Sequence, residues 1–320
     1  MALTPVLDFA GGTARNVRLL DGGVLARGGG EQCGDWTSPV YTAESPFTWA
    51  VASWNTDGAG AVVVELRVQS QGGWSPWFSF GAWSAAGDRH SLAGQKVEGV
   101  GRMDTDTLRL DQPARQWQMR VQIAHGTLKR LWLTTALPGT PTVEGEPPRE
   151  AWGKDLSVPL RSQMVYPNGG NVWCSPTSLS MVMAFWGHEE SIPEQCVPGV
   201  FDPVYEGHGN WPFNTAYAAT RGFVAYVDRF SSYADLERWI DRGIPVICSV
   251  AYSRDWLENA PLAQVRGHLL VVRGFTEQGD VIVNDPAAAE DTGVRLVYKR
   301  DQFRRAWLER AGVVYVIYPE

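Results

Sequence analysis

Asn171-Val172-Trp173-Cys174-Ser175-Pro176-Thr177-Ser178-Leu179-Ser180-Met181-Val182-Met183-Ala184-Phe185-Trp186-Gly187 decides how the second half of this chain folds. The run reads as a loop that delivers one cysteine to the start of a buried helix. Pro176 suits a first helical turn, where its missing N–H costs nothing. Leu179, Val182, Met183 and Trp186 recur at helical spacing and give an apolar face. Gly187 ends the helix, since it adopts the left-handed conformation beyond the last turn. Cys174 therefore stands at or just before a helix N-terminus, where unpaired N–H groups and the helix dipole favour negative charge. A thiol so placed carries more thiolate at neutral pH. The competing reading makes Cys174 a small buried hydrophobe, the ordinary state of a lone thiol.

Downstream of this helix the pattern changes. Cys196 to Thr215 is rich in Pro, Gly and Asn, and 214–221 reads as a helix closed by Gly222. Phe223–Asp228 reads as a strand, and 231–243 as a helix with a serine cap and a terminal glycine. Strands are expected at 244–252, 268–275, 280–284 and 313–318, with a short helix from Asp301 to Leu308. Helices first and an antiparallel sheet after them indicate an α+β domain.

Three residues of this half concern Cys174. His268 opens the apolar strand Leu269–Val272, where its ring can face another element. Asp285 ends the next strand, one hairpin turn away, and paired strands bring such side chains within about 5 Å. A carboxylate there fixes the imidazole tautomer, so that the other ring nitrogen faces a nucleophile. Asn284 competes for that place, but alternation sends the two side chains to opposite faces. Gln163, eleven residues before Cys174, offers an amide N–H for a developing oxyanion beside the Cys174 backbone N–H.

Taken in chain order, Gln163, the tract Trp173–Leu179, Gly267-His268 and Asn284-Asp285-Pro286 resemble the C39-like branch of the papain-like cysteine peptidases. The opening Val158–Gln163 and the run Gly209–Asn214 resemble the same family, over roughly residues 155 to 320. The resemblance implies Cys174 as nucleophile, His268 as base, Asp285 as orienting carboxylate and Gln163 in the oxyanion hole. It implies a peptide or protein substrate and no cofactor. Ser175 departs from the Cys-Gly-Pro common in such families and narrows the backbone beside the nucleophile. Relatives that cut bacteriocin leaders are fused to membrane transporters, and that substrate is not implied here. His188 and His208 are expected to face solvent, with His208 lining the cleft from its Gly-rich loop as the alternative, and Cys248, inside an apolar strand, to lie in the core.

Residues 1–137 read as an all-β antiparallel sandwich. Expected strands include the hairpin 17–20/24–27 around Gly22-Gly23, then 47–54, 62–69, 74–80, 107–110, 116–123 and 128–134. Gly28-Gly29-Gly30 lacks the Gly-Lys-Ser/Thr that grips phosphate and reads as a turn. Eight tryptophans of this half (Trp36, Trp49, Trp54, Trp74, Trp77, Trp83, Trp117, Trp132) fit core filling, with a platform for polysaccharide or peptide as the alternative. Residues 138–150 are Pro/Gly-rich and read as a linker. Residues 151–320 follow as the second domain, and a fragment starting near residue 150 is expected to fold alone.

Composition bounds the partners. The 320 residues are 44% hydrophobic and 20% charged, as in ordinary globular domains. A net charge of -7 argues against nucleic acid. No stretch approaches the roughly 18 apolar residues of a membrane helix. Four scattered cysteines and five dispersed histidines give no disulfide framework and no metal spacing. The N-terminus lacks a basic-plus-apolar leader, so a cytoplasmic location is expected, or an extracellular one where a leader has been removed. Two functions follow from the residues: a thiolate hydrolase of peptide or amide bonds, and an inactive module that binds peptides or cell-surface polymers.

Overall fold

The computed structural model describes residues 5–21, 24–27, 33–57, 60–70, 72–139, 149–253 and 256–320. The turns read at Gly22-Gly23 and Gly28–Gly30, and most of the 138–150 linker, lie outside them. The first twelve strands are β1 (Thr13–Arg15), β2 (Val17–Leu20), β3 (Val24–Arg27), β4 (Gly34–Thr37), β5 (Tyr41–Thr56) and β6 (Ala61–Ser70), followed by β7 (Gly73–Trp74), β8 (Phe78–Ser84), β9 (Lys96–Val97), β10 (Gly101–Asp104), β11 (Thr107–His125) and β12 (Thr127–Ala136). Then come α1 (Cys174–Phe185), α2 (Val197–Val200), α3 (Trp211–Ala219), β13 (Phe223–Arg229), α4 (Tyr233–Asp241) and β14 (Val246–Ser253). The chain ends with β15 (Gln264–Phe275), β16 (Val281–Asn284), β17 (Arg295–Tyr298), α5 (Arg300–Trp307) and β18 (Val313–Pro319).

Two compact units result. The described residues up to 139 join Phe201–Gly222 in one, and residues 149–200 join Phe223–Glu320 in the other. In the first unit β11 is the organising strand. Its early residues pair with β5 and β10, and its later ones with β4 and β6. Register shifts between Arg109 and Gln116 let one strand serve both sets of neighbours. Trp36, Trp49, Trp54, Trp83, Trp117 and Trp132 are all buried. Trp74 and Trp77 stay partly exposed, with the Arg67 guanidinium 4.8 and 4.7 Å from their ring centres. Most of the tryptophans thus fill the core, where large aromatics contribute most apolar area.

Residues 201–222 belong to this β unit, whereas the sequence alone places them in the second domain, 151–320. Phe213 of α3 is fully buried, with ring centres 6.3 Å from Trp54 and 5.5 Å from Trp83. Asn210 caps α3 by accepting from the Phe213 N–H at 3.2 Å, and Pro212 sits in the first turn. Asp106 of the β10–β11 turn accepts the Trp211 N–H at 2.6 Å, where the helix N-terminus favours a carboxylate. Burial nonetheless raises Asp106 to about 6, against the lowering effect of the Trp211 N–H and the Thr107 hydroxyl. Asp202 is wholly buried and accepts from the backbone N–H groups of Ser91 and Val204 and from the Asn210 amide. Buried carboxylates persist only when so satisfied.

The second unit carries one antiparallel sheet in the order β13-β18-β14-β15-β16-β17. Its entering arm is stitched to β15. Trp152 and Asp155 bridge Phe275 and Gly274, and the Trp152 indole N–H donates to Glu237 at 2.8 Å. A Cβ on Gly274 would stand 2.0 Å from the Lys154 carbonyl oxygen, so only glycine permits this approach. Helix α1 is buried from Ser175 to Ala184, not on one face alone. Its small polar residues allow that: the Ser178 hydroxyl donates to the Leu269 carbonyl at 3.0 Å, and the Ser175 and Tyr315 hydroxyls lie 3.1 Å apart. No helix among the described residues is long and apolar enough to cross a membrane.

Candidate active site

Cys174 is the first residue of α1 and is half-buried. The helix starts here because Trp173 closes the preceding 3-10 turn and its carbonyl accepts the Thr177 N–H at 3.0 Å. Pro176 lies inside the first turn, where no N–H is needed. The nucleophile candidate therefore sits where the helix presents unpaired N–H groups.

His268 is buried in β15, opposite Val250 of β14. The strand begins at Gln264, four residues earlier than the sequence pattern implies, because Gln264 and Val265 pair with Ser253 and Tyr252. Asp285 follows β16 directly and is wholly buried. The His268 Nε2 and Asp285 Oδ1 are 2.7 Å apart. Nδ1 is thereby left for the Cys174 sulfur, with which the ring also hydrogen-bonds. Asp285 Oδ1 accepts the Ala287 N–H at 3.0 Å, and Oδ2 accepts the Tyr298 hydroxyl at 2.8 Å.

The electrostatics follow from these contacts. Burial pushes the Cys174 thiol up, but the His268 hydrogen bond and charge, with the Leu269 and Ser175 N–H groups, hold it below the ordinary thiol range. Burial lowers His268, but the Asp285 charge and hydrogen bond and the Cys174 sulfur carry it up to about 10. Burial raises Asp285, and the His268 charge with its three donors brings it below the usual carboxylate value. A thiolate–imidazolium pair backed by a carboxylate is the charge state this arrangement favours.

Asn284 faces the other way. Its amide donates to the Pro159 carbonyl at 3.0 Å and accepts from Arg273 at 3.1 Å. Gln163 is held beside the Asp285 turn, its N–H donating to the Pro286 carbonyl at 2.8 Å. Ser162 anchors the same segment, its N–H reaching Asp291 at 2.6 Å and its hydroxyl the Ala288 carbonyl. The Gln163 side chain is 1% exposed, and its Oε1 has no hydrogen-bond partner. The remaining sequence candidates lie elsewhere. His188 pairs with Glu190 at 3.1 Å, and Cys248 is buried in β14, which pushes its thiol well up. His208 packs against Phe201 with the β unit. Among the described residues no group of His, Cys, Asp and Glu could hold a metal ion. Tyr298 escaped the sequence reading because its strand is four residues long and follows an irregular stretch.

Two family models match the chain. One, described as the Peptidase_C39 like family, covers residues 155–315, and the other, described as the peptidase C39 N-terminal domain, covers residues 7–136. Among solved structures, a protein described as a C39-like peptidase from Bacillus anthracis is 18% identical, covering 52% of this chain and 99% of its own, with a TM-score of 0.36. Xylellain, a cysteine protease from Xylella fastidiosa, is 9% identical, covering 57% of this chain and 97% of its own, with a TM-score of 0.31. No curated protein matches the chain.

Proposed function

Since the chain belongs to the Peptidase_C39 like family, we propose that it is a cysteine peptidase, hydrolysing a peptide or related amide bond through Cys174, His268 and Asp285. The carrying observation is the imidazole of His268, hydrogen-bonded through Nε2 to the wholly buried Asp285 carboxylate and acting on the thiol at the α1 N-terminus, which it holds below the ordinary thiol range. The β unit is read as an antiparallel sandwich with no part in the bond-breaking steps.

The Cys174 thiolate attacks the carbonyl carbon, and the carbonyl π pair becomes an oxyanion. The Gln163 amide and the Cys174 backbone N–H are the proposed donors to that oxygen. Collapse expels the amine, which takes the proton from His268 Nδ1 and leaves a thioester on Cys174. Water then gives a proton to Nδ1 as its oxygen attacks the thioester. The C–S bond breaks, the acid departs, and the thiolate–imidazolium pair is restored. Asp285 remains ionised throughout and holds Nε2–H.

A bell-shaped kcat/KM profile is expected. The acid limb belongs to Cys174 and lies below the ordinary thiol pKa, since protonation removes the nucleophile. The alkaline limb lies near pH 10, where His268 loses the proton that the leaving amine needs. The same raised pKa contributes stability that is full below the unfolded histidine value of 6.5 and is lost as pH rises through about 10. Rates on a fluorogenic peptide amide between pH 4 and about 11 check this. An alkaline limb at an ordinary histidine pKa would contradict the ion pair.

Gln163→Ala is expected to lower kcat about a hundredfold with KM nearly unchanged, because its donor acts only on the developing oxyanion. A rise in KM alone would remove Gln163 from that role.

A further inference from the structure

We propose that Tyr298 is a positioning residue for the reaction, clamping the free oxygen of Asp285 so that the other stays on His268. The proposal rests on the cysteine-peptidase reading above and adds a residue to it. Asp285 has two oxygens with separate duties. Oδ1 takes the His268 ring at 2.7 Å and the Ala287 N–H at 3.0 Å. Oδ2 takes the Tyr298 hydroxyl at 2.8 Å. Both residues are fully buried, so water cannot readily stand in for the hydroxyl.

The Tyr298 ring is itself held. It stacks on Phe303 of α5 with centres 6.3 Å apart and planes 15° from parallel. The main chain between the two partners is closed as well, the Asp285 N–H donating to the Val294 carbonyl at 2.8 Å. The clamp therefore joins β17 and α5 to the turn that carries the carboxylate. Without the hydroxyl, Oδ2 becomes a buried charged acceptor with no donor. The carboxylate then turns about its terminal torsion, which is broad for aspartate, and Oδ1 leaves Nε2.

The titratable groups facing this carboxylate are few. They are His268 on β15, Tyr298 on β17, Cys174 on α1 by way of the imidazole, and Tyr252 on β14, whose hydroxyl is pushed up by burial and then by Asp285 and Cys174. Tyr298 is raised by burial and by Asp285 beyond any working pH, so its hydroxyl serves only as a donor. Arg273 reaches Asn284, on the opposite face.

Tyr298→Phe removes the hydroxyl and keeps the stacked ring. The experiment measures the second-order rate of Cys174 alkylation by iodoacetamide against pH in the full chain, for the parent, Tyr298→Phe, Asp285→Ala and the double variant. Folding is followed by thermal unfolding. Loss of one hydrogen bond to a charged group is expected to slow alkylation near pH 6 about tenfold and to move the acid limb upward. In the Asp285→Ala background, Tyr298→Phe is expected to cost nothing more, because its action passes through the carboxylate. A parent profile in Tyr298→Phe, or an equal loss with and without Asp285, overturns the clamp and leaves the peptidase reading intact. A parent whose Cys174 reacts no faster than the exposed Cys33 overturns both.

Discussion

Cys174→Ala is expected to abolish hydrolysis, by on the order of ten-thousand-fold or more, while unfolding at the temperature of the parent. The sulfur is the only heavy atom removed, and the residue is half-buried, so little packing is lost. Covalent catalysis has no substitute for its nucleophile: without Sγ no thioester forms and the barrier returns to that of direct attack by water. His268→Ala is expected to be nearly as inactive but less clean. Its ring is buried, and deleting it leaves the Asp285 carboxylate without its cationic partner. Removing one member of a buried pair destabilises by about 3–5 kcal/mol. The two variants thus separate chemistry from folding. The check is turnover of one peptide substrate beside thermal unfolding of both proteins. Residual turnover of Cys174→Ala above a tenth of the parent would overturn the nucleophile assignment.

The largest structural effect is expected from Phe213→Ala. Phe213 is fully buried against Trp54 and Trp83, and truncating a core phenylalanine costs about 3–5 kcal/mol. The loss should fall on the N-terminal β unit, although the residue lies within the span matched by the peptidase family model. Tryptophan fluorescence during unfolding reads this directly, since the rings that lose their partner are themselves the reporters. A chain ending near residue 140 should show a comparable deficit, because it lacks α3 altogether. An unfolding transition unmoved by Phe213→Ala would mean that α3 contributes nothing to that core. The same packing replaces the expectation that a fragment from residue 150 folds intact. Such a fragment carries Trp211, Pro212 and Phe213 without the residues that bury them.

What the sequence disclosed depended on the reach of each signal. Cys174 was legible because Pro176, the apolar spacing and Gly187 all act within a few turns of one helix. His268 and Asp285 were legible because the β15–β16 hairpin pairs Val271 with Asn284 and so brings the adjoining ends of the two strands together. Alternation along β16 also separated Asn284 from Asp285, and their hydrogen bonds run to opposite sides. Ser175 shows in sequence only as a backbone restraint, since nothing local announces that its hydroxyl meets Tyr315 far along the chain. Phe213 carries no local mark of its partners, which lie in β5 and β8. The local pattern reads a helix at 214–221, where α3 runs Trp211–Ala219, and says nothing of which core receives it.

The excursion of residues 201–222 has a consequence for how such proteins can be recombined. The polypeptide passes between the two units three times: once through the Pro/Gly-rich stretch, again after Val200 and again after Gly222. A cut-and-paste exchange at the proline-rich stretch alone would graft a foreign N-terminal half onto an α3 shaped for another. The heritable block is discontinuous, the first 139 residues plus the 201–222 excursion. Substitutions at Trp54 or Trp83 are therefore expected to couple energetically to substitutions at Phe213, a residue inside the span that the peptidase family model matches.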